Sequence, residues 1–386
     1  MVATPRPDSS AFPIATIEVR TATPYRLHVG PGAAVRLTPW LEQEHLAARY
    51  ALVTDTRVAE LHARPVAGRM IDAGLAVTTV MFPAGEASKT RATKETIEDA
   101  LLDAGCGRDT AIVALGGGVT TDMAGFVAAT YQRGIPYVQV PTTLLAMVDA
   151  SVGGKTAVDH PRGKNLIGAF HQPSAVFIDT DFLATLPDRE LRCGLAEVVK
   201  AAVVRDAGLF LSLQAGAAGL LAREAAPLAG AIARACEIKA EVVAADEKEG
   251  DLRKILNLGH TIGHAIEALS GYAMPHGEAV SIGMVAETRL AARLGVLAQT
   301  DAAAIEALLA SLGLPVRLPA DHAGMTPWAI LEAARRDKKS REGRIAYVLP
   351  SRIGEMSRGP AGYGIPLEDV LAAEILTGMQ ESAPPK

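Results

Sequence analysis

The order of apolar and polar positions divides the chain into two parts of different character. From Ile17 the stretch IEVRTATPYRLHVGPGA alternates apolar and polar residues, the period of a half-buried hairpin, and ends at the Gly30-Pro31-Gly32 turn. An amphipathic helix over 34–44 follows, then the short apolar strand YALVTD ending at Asp55. Another helix, the strand VTTVMFPAGE, a long helix over 88–104 and the strand TAIVALGGG continue the rhythm. Strands alternating with helices predict a parallel sheet covered by helices, with ligands at the carboxyl ends of its strands. Beyond Thr185 the spacing is helical and rich in Ala, Leu and Glu, over 189–245, 256–294 and 301–334. The expected architecture is an α/β N-terminal domain with a Rossmann-like parallel sheet over 15–184 and an all-α C-terminal domain over 185–386. Residues 1–14, with their Pro and Ser, read as a loose tail.

Length and composition narrow the function classes. A chain of 386 residues is long enough for two cores. A net charge of −5, with scattered Lys and Arg, provides no basic field and argues against nucleic acid or a membrane surface as partner. No stretch keeps the ~20 uninterrupted apolar residues of a membrane span, and the first residues lack the basic start and apolar run of a signal peptide. Cys106, Cys193 and Cys236 stand far apart without CxxC spacing and read as reduced, buried thiols of a cytoplasmic protein.

Three stretches carry candidate chemistry. Gly116-Gly117-Gly118 follows a strand directly, where backbone amides can approach a phosphate, although the run is not a GxGxxG and also suits a tight turn. The segment DASVGGKTAVDHPRGKN, read as a Gly-rich loop, holds Asp149, Lys155, Lys164 and Asn165. Ammonium groups there suit a phosphorylated, carboxylated small molecule, whereas a lone lysine is ordinarily solvated. In LNLGHTIGHAIE, His260 and His264 lie one turn apart on one helical face, with His276 in PHGEAV just beyond. Spacing alone reads the HxxxH pair as two metal ligands, without the Glu of HExxH. Gly259 and Gly263, each preceding a histidine, read as giving the backbone close access. Glu197 and Lys200, three apart among Ala and Val, are either a surface ion pair or a buried carboxylate that needs a partner such as a metal. Lys239 and Arg253 are basic groups in helical surroundings.

The motifs LGGGVTTDMAGFVAATYQRG, PTTLLAMVDASVGGKTAVDHPRGKNLIGAFHQP, LAEVVKA, LNLGHTIGHAIE and PHGEAVSIGM together resemble the 3-dehydroquinate synthase family of sugar-phosphate cyclases, from about Ile17 to about Leu376. The resemblance implies an enzyme of the shikimate pathway that uses NAD and a divalent metal, Zn(2+) or Co(2+), and works as a homodimer. It implies Glu197, His260 and His276 as metal ligands, which moves His264 from the metal to the substrate. Lys155, Asn165, Lys200, Lys239, Arg253, Asn257 and His264 would line the substrate pocket, with Arg133 supplied by the partner subunit and Lys338 or Lys339 a further candidate. NAD would meet Asp55, Glu86, Lys89, Gly117, Gly118, Val119, Asp122, Thr142, Thr143, Asp149, Lys155, Lys164, Thr185, Leu186 and Glu190. The implied reaction oxidises carbon 5 of a heptulosonate phosphate, expels phosphate, returns the hydride and closes the ring by an aldol step.

This chain departs from the family pattern at Arg57 after TDT, at Thr120 and Thr121 in GGGVTTD, and at Asp159 in TAVD. The rival readings are a related cyclase, such as an aminodehydroquinate, valiolone or deoxy-inosose synthase, a metal-dependent polyol dehydrogenase, and a silent binding homologue. Arg253, Asn257 and His264 argue against the valiolone type, and the cations at 155–165 argue against glycerol as substrate.

Overall fold

A computed structural model describes residues 14–319, 324–336 and 344–380. The chain forms two compact units, Met1–Pro187 with Arg223–Ala244, and Asp188–Ala222 with Ala245–Lys386. Residues 223–244 have the helical spacing of the second part of the chain yet pack within the first unit.

In the first unit, strands β1 (Ala15–Val19) and β2 (Tyr25–Gly30) form the antiparallel hairpin that the alternation predicts. Helix α1 (Leu37–Glu44), strand β3 (Arg49–Asp55), the single turn α2 (Thr56–Val58), helix α3 (Arg64–Asp72) and strand β4 (Ala76–Phe82) follow. Helix α4 (Arg91–Asp103), strand β5 (Thr110–Gly116), helix α5 (Gly118–Thr130) and strand β6 (Tyr137–Pro141) come next. Strands β7 (Lys155–His160) and β8 (Gly163–Phe170) pair antiparallel as a separate ribbon, where the sequence predicts a loop. Their glycines and lysines hide the strand pattern. Strand β9 (Ala175–Asp179) completes a seven-stranded sheet of order β1-β2-β9-β6-β5-β3-β4, parallel except at β1.

Period 2 decides how that sheet is covered. Along β5, Ala111, Val113 and Leu115 join Leu37 and Leu41 of α1 and Val66 and Met70 of α3 in one core cluster. Ile112 and Ala114 face the other way, against Ile97 and Leu101 of α4 and Met123 and Val127 of α5. A strand buried on both faces must be apolar throughout, and every residue of β5 is buried. From β3 the chain moves to β4 on one side, whereas β5 lies on β3's other side and leads on to β6. The carboxyl ends of β3 and β5 therefore flank the switch point at which such sheets bind ligands.

The second unit is built on helices α6 (Asp188–Arg205) and α7 (Ala207–Leu221), with α8 (Ala225–Ala245) returning to the first unit. Helices α9 (His260–Leu269), α10 (His276–Arg293), α11 (Gln299–Ser311) and α12 (Pro327–Arg336) follow. Two short ribbons join them, β10 (Ile345–Tyr347) with β13 (Ile365–Leu367) and β11 (Pro350–Arg352) with β12 (Glu355–Met356), before α13 (Asp369–Thr377). Among the described residues, no helix is long and apolar enough to cross a membrane.

Missing side chains set how closely α6, α9 and α10 pack. A Cβ on Gly277 of α10 would lie 2.3 Å from the Cα and carbonyl oxygen of Cys193 in α6. On Gly283 it would lie 1.9 Å from the carbonyl oxygen of Gly259, and on Gly263 3.1 Å from that of Ala279. Gly259 and Gly263 thus give the backbone close access to α10, and that access serves helix packing. Gly259 also has φ +78°, a left-handed conformation that starts α9 and that side chains resist.

Two glycine substitutions should therefore act with opposite sign. Gly277→Ala must push α10 off α6 and should destabilise by about 1–3 kcal/mol. Gly68→Ala in α3 meets nothing within 4 Å, and should stabilise by about 0.5–1 kcal/mol. Urea or thermal denaturation of the two variants measures both.

Candidate metal centre and nucleotide site

The close packing of α6, α9 and α10 brings Glu197, His260 and His276 together, one donor from each helix, with all donor atoms within 4.8 Å of one another. The Nε2 atoms of His260 and His276 each lie 3.6 Å from Glu197 Oε1. The other ring nitrogens face acceptors: His260 Nδ1 is 3.1 Å from the Leu258 carbonyl oxygen, and His276 Nδ1 is 3.1 Å from Glu267 Oε2. An acceptor at Nδ1 assigns the proton to that nitrogen and leaves the Nε2 lone pair directed at the shared point.

Two imidazole nitrogens and one carboxylate oxygen form the mixed donor set of a zinc or cobalt site with positions left for substrate. Glu197 is 2 % exposed beside the buried apolar residues Val198 and Val199 of α6, and it also pairs with Lys200, which is 3 % exposed. Burial disfavours charge on His276, but the carboxylates of Glu197 and Glu267 beside it outweigh this and push its pKa up to about 10. The centre attracts positive charge, which a divalent cation supplies without a proton. The donor set therefore fits a divalent metal.

His264 stands one turn along α9, its ring centroid 5.2 Å from that of His260 and 6.0 Å from that of His276. It groups with Glu267 and His276 in a second donor cluster. Spacing does not separate these clusters; the carboxylate each one includes does, Glu197 with His260 and His276, and Glu267 with His264 and His276. Glu267 is absent from the sequence-derived candidates. It lies seven residues after His260 and three after His264, on the same helical face, and that periodicity is the signal that marks it.

Arg253 and Asn257 lie on the 3-10 turn Leu252–Asn257 that leads into α9. The Arg253 guanidinium is buried and donates to the Glu247 carbonyl oxygen at 2.6 Å, and its backbone N–H donates to Asp246 at 3.0 Å. Asn257 donates to Glu249 Oε1 at 2.8 Å. Lys338 and Lys339 lie outside the described residues.

In the first unit, Asp55, the Gly117-Gly118-Val119 turn and Thr142-Thr143 sit at the carboxyl ends of the adjacent strands β3, β5 and β6. Asp55 caps α2 by accepting from the backbone N–H groups of Arg57 and Val58, each at 3.0 Å. Thr120 donates to its other oxygen at 3.3 Å. A Cβ on Gly117 would lie 2.9 Å from the Thr143 methyl, so the glycine lets β5 and β6 end side by side. The side chains of Thr120 and Thr121 are buried and tied to Asp55 and the Gly118 carbonyl oxygen, so they brace the turn from within.

Buried Lys89 joins two expected groups, donating to Asp122 Oδ2 and to Asn165 Oδ1, each at 2.6 Å. Asp159, one of the departures, accepts from the Asn165 backbone N–H at 2.9 Å and donates its own to the Lys89 carbonyl oxygen at 2.7 Å. Lys164 pairs with Glu86 at 3.1 Å. Lys239 bonds to the carboxylate of Asp149 at 2.5 Å and to its carbonyl oxygen. Lys155 is exposed at the start of β7. Thr185 faces His62 at 2.9 Å, and Leu186 offers its carbonyl oxygen to Arg223 at 2.6 Å. Glu190 lies in the first turn of α6, in the other unit. Arg133 is exposed and follows Gln132 in a left-handed turn, with φ of +71° and +53°.

Comparison with known proteins agrees over most of the chain. Residues 79–193 match the 3-dehydroquinate synthase N-terminal family model, and residues 194–340 match the corresponding C-terminal model. The 3-dehydroquinate synthase of Geobacter metallireducens is 50 % identical over 86 % of this chain and 92 % of its own. That of Synechococcus sp. is 46 % identical over 93 % of this chain and 99 % of its own. Among solved structures, 2-deoxy-scyllo-inosose synthase with carbaglucose-6-phosphate, NAD+ and Co2+ superposes with a TM-score of 0.85 at 26 % identity, over 95 % of this chain and 100 % of that one. The 2-epi-5-epi-valiolone synthase of Streptomyces hygroscopicus with NAD+ and Zn2+ gives 0.83 at 30 %, over 92 % and 96 %. A glycerol dehydrogenase from Schizosaccharomyces pombe, at 17 % identity and a TM-score of 0.67, shares the fold alone. With both halves matched in order by the paired models, and with relatives this similar over nearly their full length, the chain belongs to the 3-dehydroquinate synthase family.

Proposed function

We propose that the protein is a 3-dehydroquinate synthase, a carbon-oxygen lyase that converts 3-deoxy-D-arabino-heptulosonate 7-phosphate to 3-dehydroquinate and phosphate in the shikimate pathway. The observation that carries this reading is the three-helix donor set of Glu197, His260 and His276 with His264, Lys200, Arg253 and Asn257 in the same unit. Support for this substrate over a related one comes from identity: relatives named 3-dehydroquinate synthase reach 50 %, whereas the two related cyclases stand at 26 % and 30 %.

In this reading Glu197, His260 and His276 hold a divalent metal, and NAD lies along the β3–β5–β6 ends against Asp55, Gly117, Gly118, Val119, Thr142 and Thr143. When bound, NAD takes and returns a hydride, and the metal lends Lewis acidity to the substrate oxygens. The chain's own groups bind, orient and move protons. Lys155, Lys200, Lys239 and Arg253 counter the carboxylate and phosphate of the substrate, with Lys338 or Lys339 as a further cation. Asn165 and Asn257 orient its hydroxyls. Lys89 holds Asn165 and Asp122 with one ammonium group, so substrate and nucleotide residues of the first unit share one support. His264 faces the substrate as a proton-transfer group.

The working form in this reading is a cytoplasmic homodimer in which Arg133 serves the partner's site. Its exposure and its strained turn support that role, since such backbone persists where surroundings require it.

Three outcomes are expected. Purified protein with zinc and NAD should release phosphate from the heptulosonate phosphate without net NADH, and a chelator should abolish this. Preference for a sedoheptulose phosphate, read by product mass, would reject the assignment. His264→Ala should keep its metal and lose turnover by about 100-fold or more, whereas His260→Ala should lose both, read by metal analysis and phosphate release. Inactive Arg133→Ala and Lys200→Ala chains should regain activity when mixed, because a mixed dimer holds one intact site.

A further inference from the structure

We infer that Glu267 is the positioning residue for the metal ligand His276, an anionic acceptor at Nδ1 that fixes the ring's tautomer and strengthens Nε2 as a donor. This rests on the metal reading given above and extends it to a group beyond the three ligands. Glu267 is 1 % exposed on a helix whose neighbouring residues Ile262, Ala265 and Ile266 are apolar core. A carboxylate in such a place is destabilising unless a partner compensates it. Its Oε2 lies 3.1 Å from His276 Nδ1, while the opposite nitrogen of that ring lies 3.6 Å from Glu197. Carboxylate, imidazole and ligand point thus form one line of contacts, the arrangement that orients metal-bound histidines.

The two histidines are supported differently. His260 Nδ1 meets a neutral backbone carbonyl, so its donor strength is ordinary. His276 Nδ1 meets a carboxylate, which makes that ring the stronger base. The backbone of Glu267 adds a second constraint. Its carbonyl oxygen accepts from the Tyr272 N–H and the Ser270 hydroxyl, each at 2.8 Å, and Ser270 Oγ accepts from Met274 N–H at 3.2 Å. One residue therefore closes the short loop that delivers His276 to α10 and also turns its ring. Charge agrees: Glu197 and Glu267 together neutralise a divalent cation, leaving Lys200 as the positive charge for an anionic substrate.

The test is zinc affinity by chelator competition on the full chain, with NAD affinity as the check that each variant is folded. Glu267→Leu should bind zinc about 10- to 100-fold more weakly. Glu267→Gln, which keeps an acceptor oxygen but no charge, should fall between it and the parent. NAD affinity should stay unchanged in both. Parental zinc affinity in both variants would overturn the inference. Failure of the parent to bind zinc, or parental affinity in His260→Ala, would instead overturn the metal reading on which it rests.

Discussion

The close approach of α6, α9 and α10 is the constraint on which the second unit depends. Donors on three separate helices converge within 4.8 Å here, and the helix backbones that carry them pack closely. Side chains on both faces of a contact would hold the axes about 8–10 Å apart. Gly277 against Cys193, and Gly283 against Gly259, remove that barrier one helical turn from Glu197 and directly beside His260 and His276. The glycines next to the histidines are thus part of the site through packing, since they set where the ligands stand.

That packing also explains the charges inside the unit. A helix as buried as α6 tolerates Glu197 and Lys200 because each compensates the other and the histidines face the same carboxylate. Glu267 is compensated by His276 in the same way. Where a metal keeps both histidines neutral, Glu197, Glu267 and Lys200 together carry one negative charge. A divalent metal reverses that sign and makes the centre attractive to an anionic sugar phosphate.

The first unit solves a different problem. Its central strands are apolar on both faces, so polar chemistry can appear only where they end. The departures from the family pattern brace those ends. Thr120 ties the β3 terminus to the first turn of α5, and the Asp159 carboxylate accepts from the Asn165 N–H within the β7–β8 ribbon.

Much of this was legible in the order of residues. Alternation and helical spacing are local, and they located the hairpin, the strands β3 to β5 and the helical second part. The long motifs identified the family and with it the candidate ligands. Other features depend on contacts between residues far apart in the chain. The β7–β8 ribbon escaped because its glycines and lysines carry no alternation, and α8 joined the first unit because helical period does not say which core a helix covers. Spacing put His260 and His264 on one face of α9 but could not choose between them. That choice belongs to the neighbours: Glu197 arrives from α6 within reach of His260, and Glu267 turns His276 toward the same point. Sequence by itself determined which groups the chain carries and which helical face holds them, because that follows from local geometry. Tertiary structure decided which groups meet, because only the glycine-permitted contact of three helices brings their donors together.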